Sequence, residues 1–297
     1  MLSGGAVQRC GDRGSQGRRL PRRDERGPGA RDVQGSLCPR PDRDRARRWP
    51  GRLRLQAQGG RVRERRFLYA QPGRLRQPLR WREEDGVRWL EAELPGATAA
   101  FSTRIGGVSD PPFDTLNLGR LTGDPEVREN RHRLASALGI DPHRVLIGRQ
   151  VHEAHVRRHE GPTEPSAYAE PAPGLPEADG HATDASGLAP LVFVADCLPV
   201  ALAGEGGVAM IHCGWRGMAS GIVERGVEEV GATAAAVGPG IGQCCYEVGD
   251  EVRDAFAGLG DGIADGRMLD LREVARRLLA EAGVEQVEIS DLCTSCH

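Results

Sequence analysis

From Val87 onward the chain alternates short apolar runs rich in β-branched residues with segments of helical period, and Gly, Pro and Asp turns separate them. Runs of the first kind suit strands, and their alternation with helices is the pattern of an α/β domain. The spacing predicts strands over Thr98 to Thr103, Val145 to Val151, Leu191 to Ala195, Val208 to His212, Ala234 to Val237 and Val284 to Ile289. Helices are predicted over Pro125 to Leu138, Met218 to Val230, Gly249 to Phe256 and Leu271 to Ala282. In the last of these, Asp270 suits the N-cap and Gly283 the stop, and Leu271, Val274, Ala275, Leu278 and Leu279 share one face. Residues 160–176, rich in Pro, Glu and Gly, read as a mobile surface loop.

Composition matters most before Val87. Residues 1–86 hold 23 Arg against 10 Asp and Glu, which leaves 17 against 32 for the remainder. That front segment reads as a disordered Arg/Gly/Pro-rich leader, or as the product of a start site assigned too early, with the folded domain at 87–297. Its arginine runs lack the aromatic interleaving and the motifs of a nucleic-acid binder, so neither nucleic acid nor a membrane surface is the expected partner. No apolar run forms a signal-peptide core or approaches the ~20 residues of a membrane span. The expected setting is the cytoplasm, where the eight cysteines are thiols, ligands or catalytic groups. All 40 basic residues are arginine, which excludes a Walker A lysine and a Schiff-base lysine.

Three apolar runs deliver metal-ligating residues. Leu191 to Ala195 leads into Asp196 and Cys197, with Pro199 expected to stop a central strand there. Val208 to Ile211 delivers His212, followed by a Gly-rich turn into a helix, and Val145 to Val151 delivers His152. One Cys and two His leave a coordination position open, as catalytic zinc requires, and spacings of 45 and 15 residues are unlike the close pairs of a zinc finger. Taken singly, each histidine is as well explained as a satisfied core residue, so the ligand set rests on the three together.

The other candidates divide between chemistry and structure. Arg104 and Arg216 have the guanidinium fork that holds phosphate, or are ordinary ion-pair residues. Asp179 and Asp196 can orient a ligating histidine or handle a proton, or cap turns. Asn117 can bond a base or sugar, or its own turn; the loop Gly238 to Gly242 can present N–H groups to an anion, or simply turn the chain. His155 falls on the wrong side to be a fourth ligand, Cys244 and Cys245 read as buried thiols, with metal binding or redox chemistry as the alternative, and Cys293-Thr-Ser-Cys296-His297 matches a haem-attachment pattern by coincidence.

Seven motifs in order then resemble a known family: Ser102-Thr-Arg104-x-Gly-Gly-Val-Ser109, Leu116-Asn117-Leu-Gly119, Gln150-Val-His152, Ala178-Asp179, Ala195-Asp196-Cys197-Leu-Pro-Val200, His212-x-Gly-Trp-Arg216-Gly217 and Gly238-Pro-x-Ile-Gly242. The chain resembles, from about residue 95 to 297, the laccase-domain or YfiH-like proteins, named as polyphenol oxidases and understood as purine nucleoside phosphorylases. The resemblance implies a mixed-sheet layered α/β domain, related to the catalytic domains of cytotoxic necrotising toxins. It implies zinc on His152, Cys197 and His212, and phosphorolysis of adenosine, inosine, guanosine and methylthioadenosine, with deamination of adenosine on the same scaffold. Cys197, His212 and Asp196 are then the expected catalytic residues, and Arg104, Asn117, Asp179 and Arg216 the expected contacts to nucleoside or phosphate. Departures are the leader and a C-terminal end short of the family's closing aromatic and Arg-pair segment.

Two rival chemistries follow from the same residues. Cys197 as nucleophile with His212 as base would make a Cys-His hydrolase or amidase, and editing of cell-wall precursors is a related role. A multicopper oxidase needs about ten histidines, largely in His-x-His pairs, whereas this chain has eight histidines and no such pair, which argues against copper.

Overall fold

The computed structural model describes residues 2–4, 79–119, 121–170 and 174–296. The expected leader therefore falls for the most part outside the described residues. Where it is described, Leu2–Gly4 (β1) is a strand, and Arg80–Glu84 (β2) pairs antiparallel with Val87–Leu94 (β3). The fold thus takes in residues ahead of the compositional break at Val87. Asp85 and Gly86 have φ of 49° and 76°, the left-handed pair of a two-residue hairpin turn that Asp-Gly favours.

The remaining strands are Ala97–Ser102 (β4), Val145–Leu146 (β5), Val156–Arg158 (β6), Gly180–Thr183 (β7), Ala189–Phe193 (β8), Leu198–Gly204 (β9), Gly207–Cys213 (β10), Ala232–Val237 (β11), Ala264–Asp265 (β12), Met268–Leu269 (β13) and Gln286–Ile289 (β14). Helices are Val127–Ala137 (α1), Trp215–Ala219 (α2), Ile222–Val230 (α3), Asp250–Ala255 (α4) and Leu271–Glu281 (α5). Two six-stranded mixed sheets form, in the orders β2-β3-β4-β1-β8-β5 and β14-β11-β9-β10-β7-β6, beside the β12-β13 ribbon. The protein is a layered mixed-sheet α/β domain, as the resemblance implies. Among the described residues no helix is long and apolar enough to cross a membrane.

Period-two alternation explains the layers. Along β9, Leu198, Val200 and Leu202 pack toward α2, α3, α4 and α5, while Ala201 and Ala203 face the first sheet with Met210, Ala234 and Ala236. Leu90, Ala92, Ala99, Phe101 and Val192 close that inter-sheet layer from the other side. The far face of the first sheet is covered by α1 through Leu134 and Ala135, with Leu116, Leu118 and Tyr168. In α5 the five predicted core residues are all buried, and the Asp270 carboxylate accepts from the N–H groups of Arg272 and Glu273.

Several expectations are corrected here. The predicted helix from Met218 is two helices, because Gly221 takes φ of 92° between them. Pro199 does not end a central strand; it lies in β9 opposite His212. Its carbonyl accepts from Gly238 N on the β11 side, and there β11 ends at Val237, so the missing N–H costs no ladder bond. Leu191 to Ala195 does not pair with the His212 strand: β8 and β10 belong to different sheets that pack on each other, and Asp196-Cys197 is the crossing from β8 to β9. The stretch expected to be mobile is anchored in its middle: Ser166 to Ala169 are buried, and Arg131, itself fully buried, donates to the carbonyls of Ala167 and Tyr168.

Candidate metal centre

Cys197 immediately precedes β9 and His212 stands near the end of β10, antiparallel neighbours in which Leu198 pairs with Cys213 and Pro199 with His212. The 15-residue gap between the two is thus a hairpin, turned at Glu205 and Gly206, that returns the chain to its starting point. His152 arrives differently. The predicted strand over Val145 to Val151 ends at Leu146, and the chain then crosses from the first sheet to the second. On the way the Gln150 carboxamide donates to Phe193 O and accepts from Phe193 N, both at 2.7 Å, standing in for a strand partner.

His152 itself adopts φ of 64°, left-handed and uncommon for a side chain of its size. Asp179 holds it there. This carboxylate, with 0% of the residue exposed, accepts from the N–H groups of Val151 and His152 at 2.9 Å, and of Glu153 at 3.1 Å. Its Oδ1 also meets His212 Nδ1 at 2.8 Å. One carboxylate therefore fixes a turn and a tautomer together, leaving His212 Nε2 to face the group.

The ligating atoms of His152, Cys197 and His212 all lie within 4.8 Å of one another. Cys197 Sγ stands 3.9 Å from His152 Nε2, and the two imidazoles meet edge-on with centroids 4.6 Å apart. Around one zinc ion with bonds of ~2.0–2.3 Å, a nitrogen and a sulfur ligand are separated by about 3.6 Å, so the donor set fits a zinc site with an open position. Gly214 belongs to the same fit: a Cβ there would stand 3.0 Å from both Cys197 Sγ and His152 Cδ2.

The two histidines sit in different electrostatic surroundings. Burial opposes charge on His212, yet the Asp179 carboxylate and the Cys197 sulfur prevail and hold its pKa at about 9. Burial and the neighbouring His212 lower the pKa of His152. Burial alone would raise the Asp179 carboxyl, but the bonds from His212, Val151 and Glu153 bring it below the ordinary carboxylate value. Asp179 and Cys197 thus favour positive charge on His212, whereas burial and His212 disfavour it on His152.

The other expected site residues have these places. Asp196 is exposed, and its carboxylate accepts from Thr294 Oγ1 at 2.8 Å. Arg216 is exposed, with its guanidinium 4.5 Å over the Trp215 ring and close enough to His152 to lower its pKa. Asp179, expected as a substrate contact, is sealed from solvent and acts on the turn and on His212. Arg104 gives Nε and Nη2 to Asp114 O and pairs with the Asp114 carboxylate at 3.2 Å, bracing its own loop. Asn117 is buried, donating to Thr122 and Asp124 and accepting from Gly119 N, so its amide serves a turn. In the Gly238 to Gly242 loop, the N–H groups of Gly238, Ile241 and Gly242 go to Pro199 O, Asp196 O and Cys293 Sγ, which leaves that loop no anion cradle from them.

Tyr246 was not singled out by the sequence. Burial raises its pKa, and the charges of Cys197, Arg216 and Asp196 also act on it. The signal was its rarity, one of three tyrosines, in the segment following Gly242.

Residues 98–297 match the family model described as multi-copper polyphenol oxidoreductase laccase. The purine nucleoside phosphorylase YfiH of Shigella flexneri is 39% identical over 214 residues, covering 67% of this chain and 84% of its own length. A purine nucleoside phosphorylase of Deinococcus radiodurans is 38% identical over 225 residues, 71% of this chain and 85% of that protein. The crystal structure of YlmD from Geobacillus stearothermophilus aligns with a TM-score of 0.65 at 33% identity, covering 74% of this chain and 91% of that one.

Proposed function

The chain belongs to the laccase-domain, YfiH-like family, and from that premise we propose that it is a zinc-dependent purine nucleoside phosphorylase. Its substrates in this reading are adenosine, inosine, guanosine and methylthioadenosine with phosphate, and adenosine deamination is a second reaction of the same site. The observation that carries the reading is the approach of His152, Cys197 and His212 within 4.8 Å, backed by a sealed Asp179. Zinc held by three protein atoms supplies Lewis acidity at its open position.

The chain's own residues do the rest. Asp179 keeps a proton on His212 Nδ1, so Nε2 presents its lone pair to the ion. Arg216 is the guanidinium we assign to phosphate, a reading supported by the engagement of Arg104 with Asp114. Asp196, fixed by Thr294, and the Tyr246 phenol are the groups able to exchange a proton near the reacting atoms. The enzyme works in the cytoplasm, where Cys197 stays reduced.

Two Nε2 atoms and a thiolate are also a copper donor set, so the metal must be measured. Freshly purified protein is expected to hold zinc and to release hypoxanthine from inosine only when phosphate is supplied. Cys197→Ala should lose one zinc and lower turnover by about 10³-fold or more. Undiminished turnover in a Cys197→Ala protein, activation by a chelator, or stoichiometric copper with phenol oxidation would each overturn the assignment.

A further inference from the structure

Besides Cys213, buried in β10, four of the described cysteines lie outside the His152 group, in two loops. Cys244 and Cys245 follow β11, and Cys293 and Cys296 follow β14. These two strands are parallel neighbours, with Val237 opposite Ile289, so both loops leave the same end of the sheet side by side. Gly240 bridges Cys293 and its carbonyl accepts from Thr294 N. Residues some 50 positions apart in sequence are thereby brought into one corner.

The four sulfurs lie within 4.8 Å of one another. Cys296 Sγ stands 3.6 Å from Cys244 Sγ and 3.4 Å from Cys245 Sγ. A tetrahedral ion with Zn–S bonds of ~2.3 Å has S···S edges of about 3.8 Å. The observed separations are of that size, and a cluster of several irons would need its four thiolates much farther apart. The Gly242 N–H points at Cys293 Sγ from 3.2 Å, a bond that favours the thiolate. A Cβ on Gly242 would stand 3.2 Å from Cys244 Sγ, so the glycine lets the loop close over the sulfurs. The expectation of buried thiols at 244 and 245 is also corrected, since Cys244 is exposed and Cys245 half-buried.

We propose that Cys244, Cys245, Cys293 and Cys296 bind a second, structural Zn²⁺ as a tetrathiolate. Four thiols surrender their protons to solvent as the ion enters, and no oxidant or reductant takes part. Four sulfur ligands leave no open position, which makes the site structural. Its effect reaches the first group through one residue: Asp196 accepts from Ile241 N through its carbonyl and from Thr294 Oγ1 through its carboxylate, and Cys197 is next in the chain. Zinc on the four sulfurs clamps both donors of those bonds.

The test is metal content of the full chain, purified without chelator, read by mass spectrometry of the elements. Wild type should carry about two zinc ions, Cys197→Ala about one, and Cys293→Ser with Cys296→Ser about one. Loading Co²⁺ into the Cys197→Ala protein should give the intense sulfur-to-cobalt charge-transfer bands of a tetrathiolate. Folded Cys197→Ala protein without zinc or those bands overturns the proposal, as does a mass showing disulfides among the four. That variant leaves the four cysteines intact, so the outcome holds even where the double serine variant does not fold. Loss of phosphorolysis with two zinc ions present would count against the proposed function alone.

Discussion

Asp179→Asn is the sharpest perturbation of the centre, because one side chain serves both a turn and a ligand. The buried carboxylate accepts four bonds, from Val151 N, His152 N, Glu153 N and His212 Nδ1. An asparagine that keeps its oxygen on His152 and His212 turns an NH₂ toward the amides of Val151 and Glu153. Two half-buried donors then lose their acceptor, each at the lower end of about 1–3 kcal/mol, for a total of roughly 2 kcal/mol. The left-handed His152 loses part of its support as well, and removing such a carboxylate partner typically weakens metal affinity about 10–100-fold. Urea unfolding with a chelator present reads the first quantity, and zinc competition against a chromophoric chelator reads the second. Metal-free stability within about 0.5 kcal/mol of wild type, together with zinc affinity within about threefold, would refute the assigned role of Asp179.

Arg131→Met should cost about 3 kcal/mol or more, because it strands the carbonyls of Leu118, Ala167 and Tyr168 in the interior. Unfolding measures that cost, and limited proteolysis should cut between residues 160 and 170 only in the variant. Glu273 is held below its ordinary 4.5: burial opposes this, but the Arg276 and Arg277 guanidinia outweigh it. Its contribution is therefore full above that ordinary value and lost as pH falls through the lowered one. Glu273→Gln should destabilise by about 1 kcal/mol at neutral pH and converge with wild type in acid, as urea midpoints across pH would show.

How much of this was readable in the sequence depends on the range of the interaction. Helix α5 was legible whole, since its cap, stop and apolar face are local patterns. The approach of Cys197 to His212 was half legible. Both were taken as residues at strand ends, but the 15-residue gap was not read as a hairpin because Pro199 argued against β9. An Asp-Gly turn at residues 85 and 86 was likewise available and overlooked beside the composition of its surroundings. Arg131 gave no signal, since a buried arginine on a helix is written like an exposed one until its carbonyl partners arrive from distant loops. The four-cysteine corner was invisible for a related reason. Each pair looks ordinary alone, and only the parallel pairing of β11 with β14 joins them.

The bonds that orient His152 and His212 all come from the polypeptide, through Asp179, and Gln150 moors the incoming loop to Phe193. A berth held by bonds of this kind does not depend on the ion for its shape. Zinc uptake by the His152 group should therefore run at the pace of diffusional encounter, with little change in far-ultraviolet dichroism, in contrast to small zinc modules that collapse only around their metal.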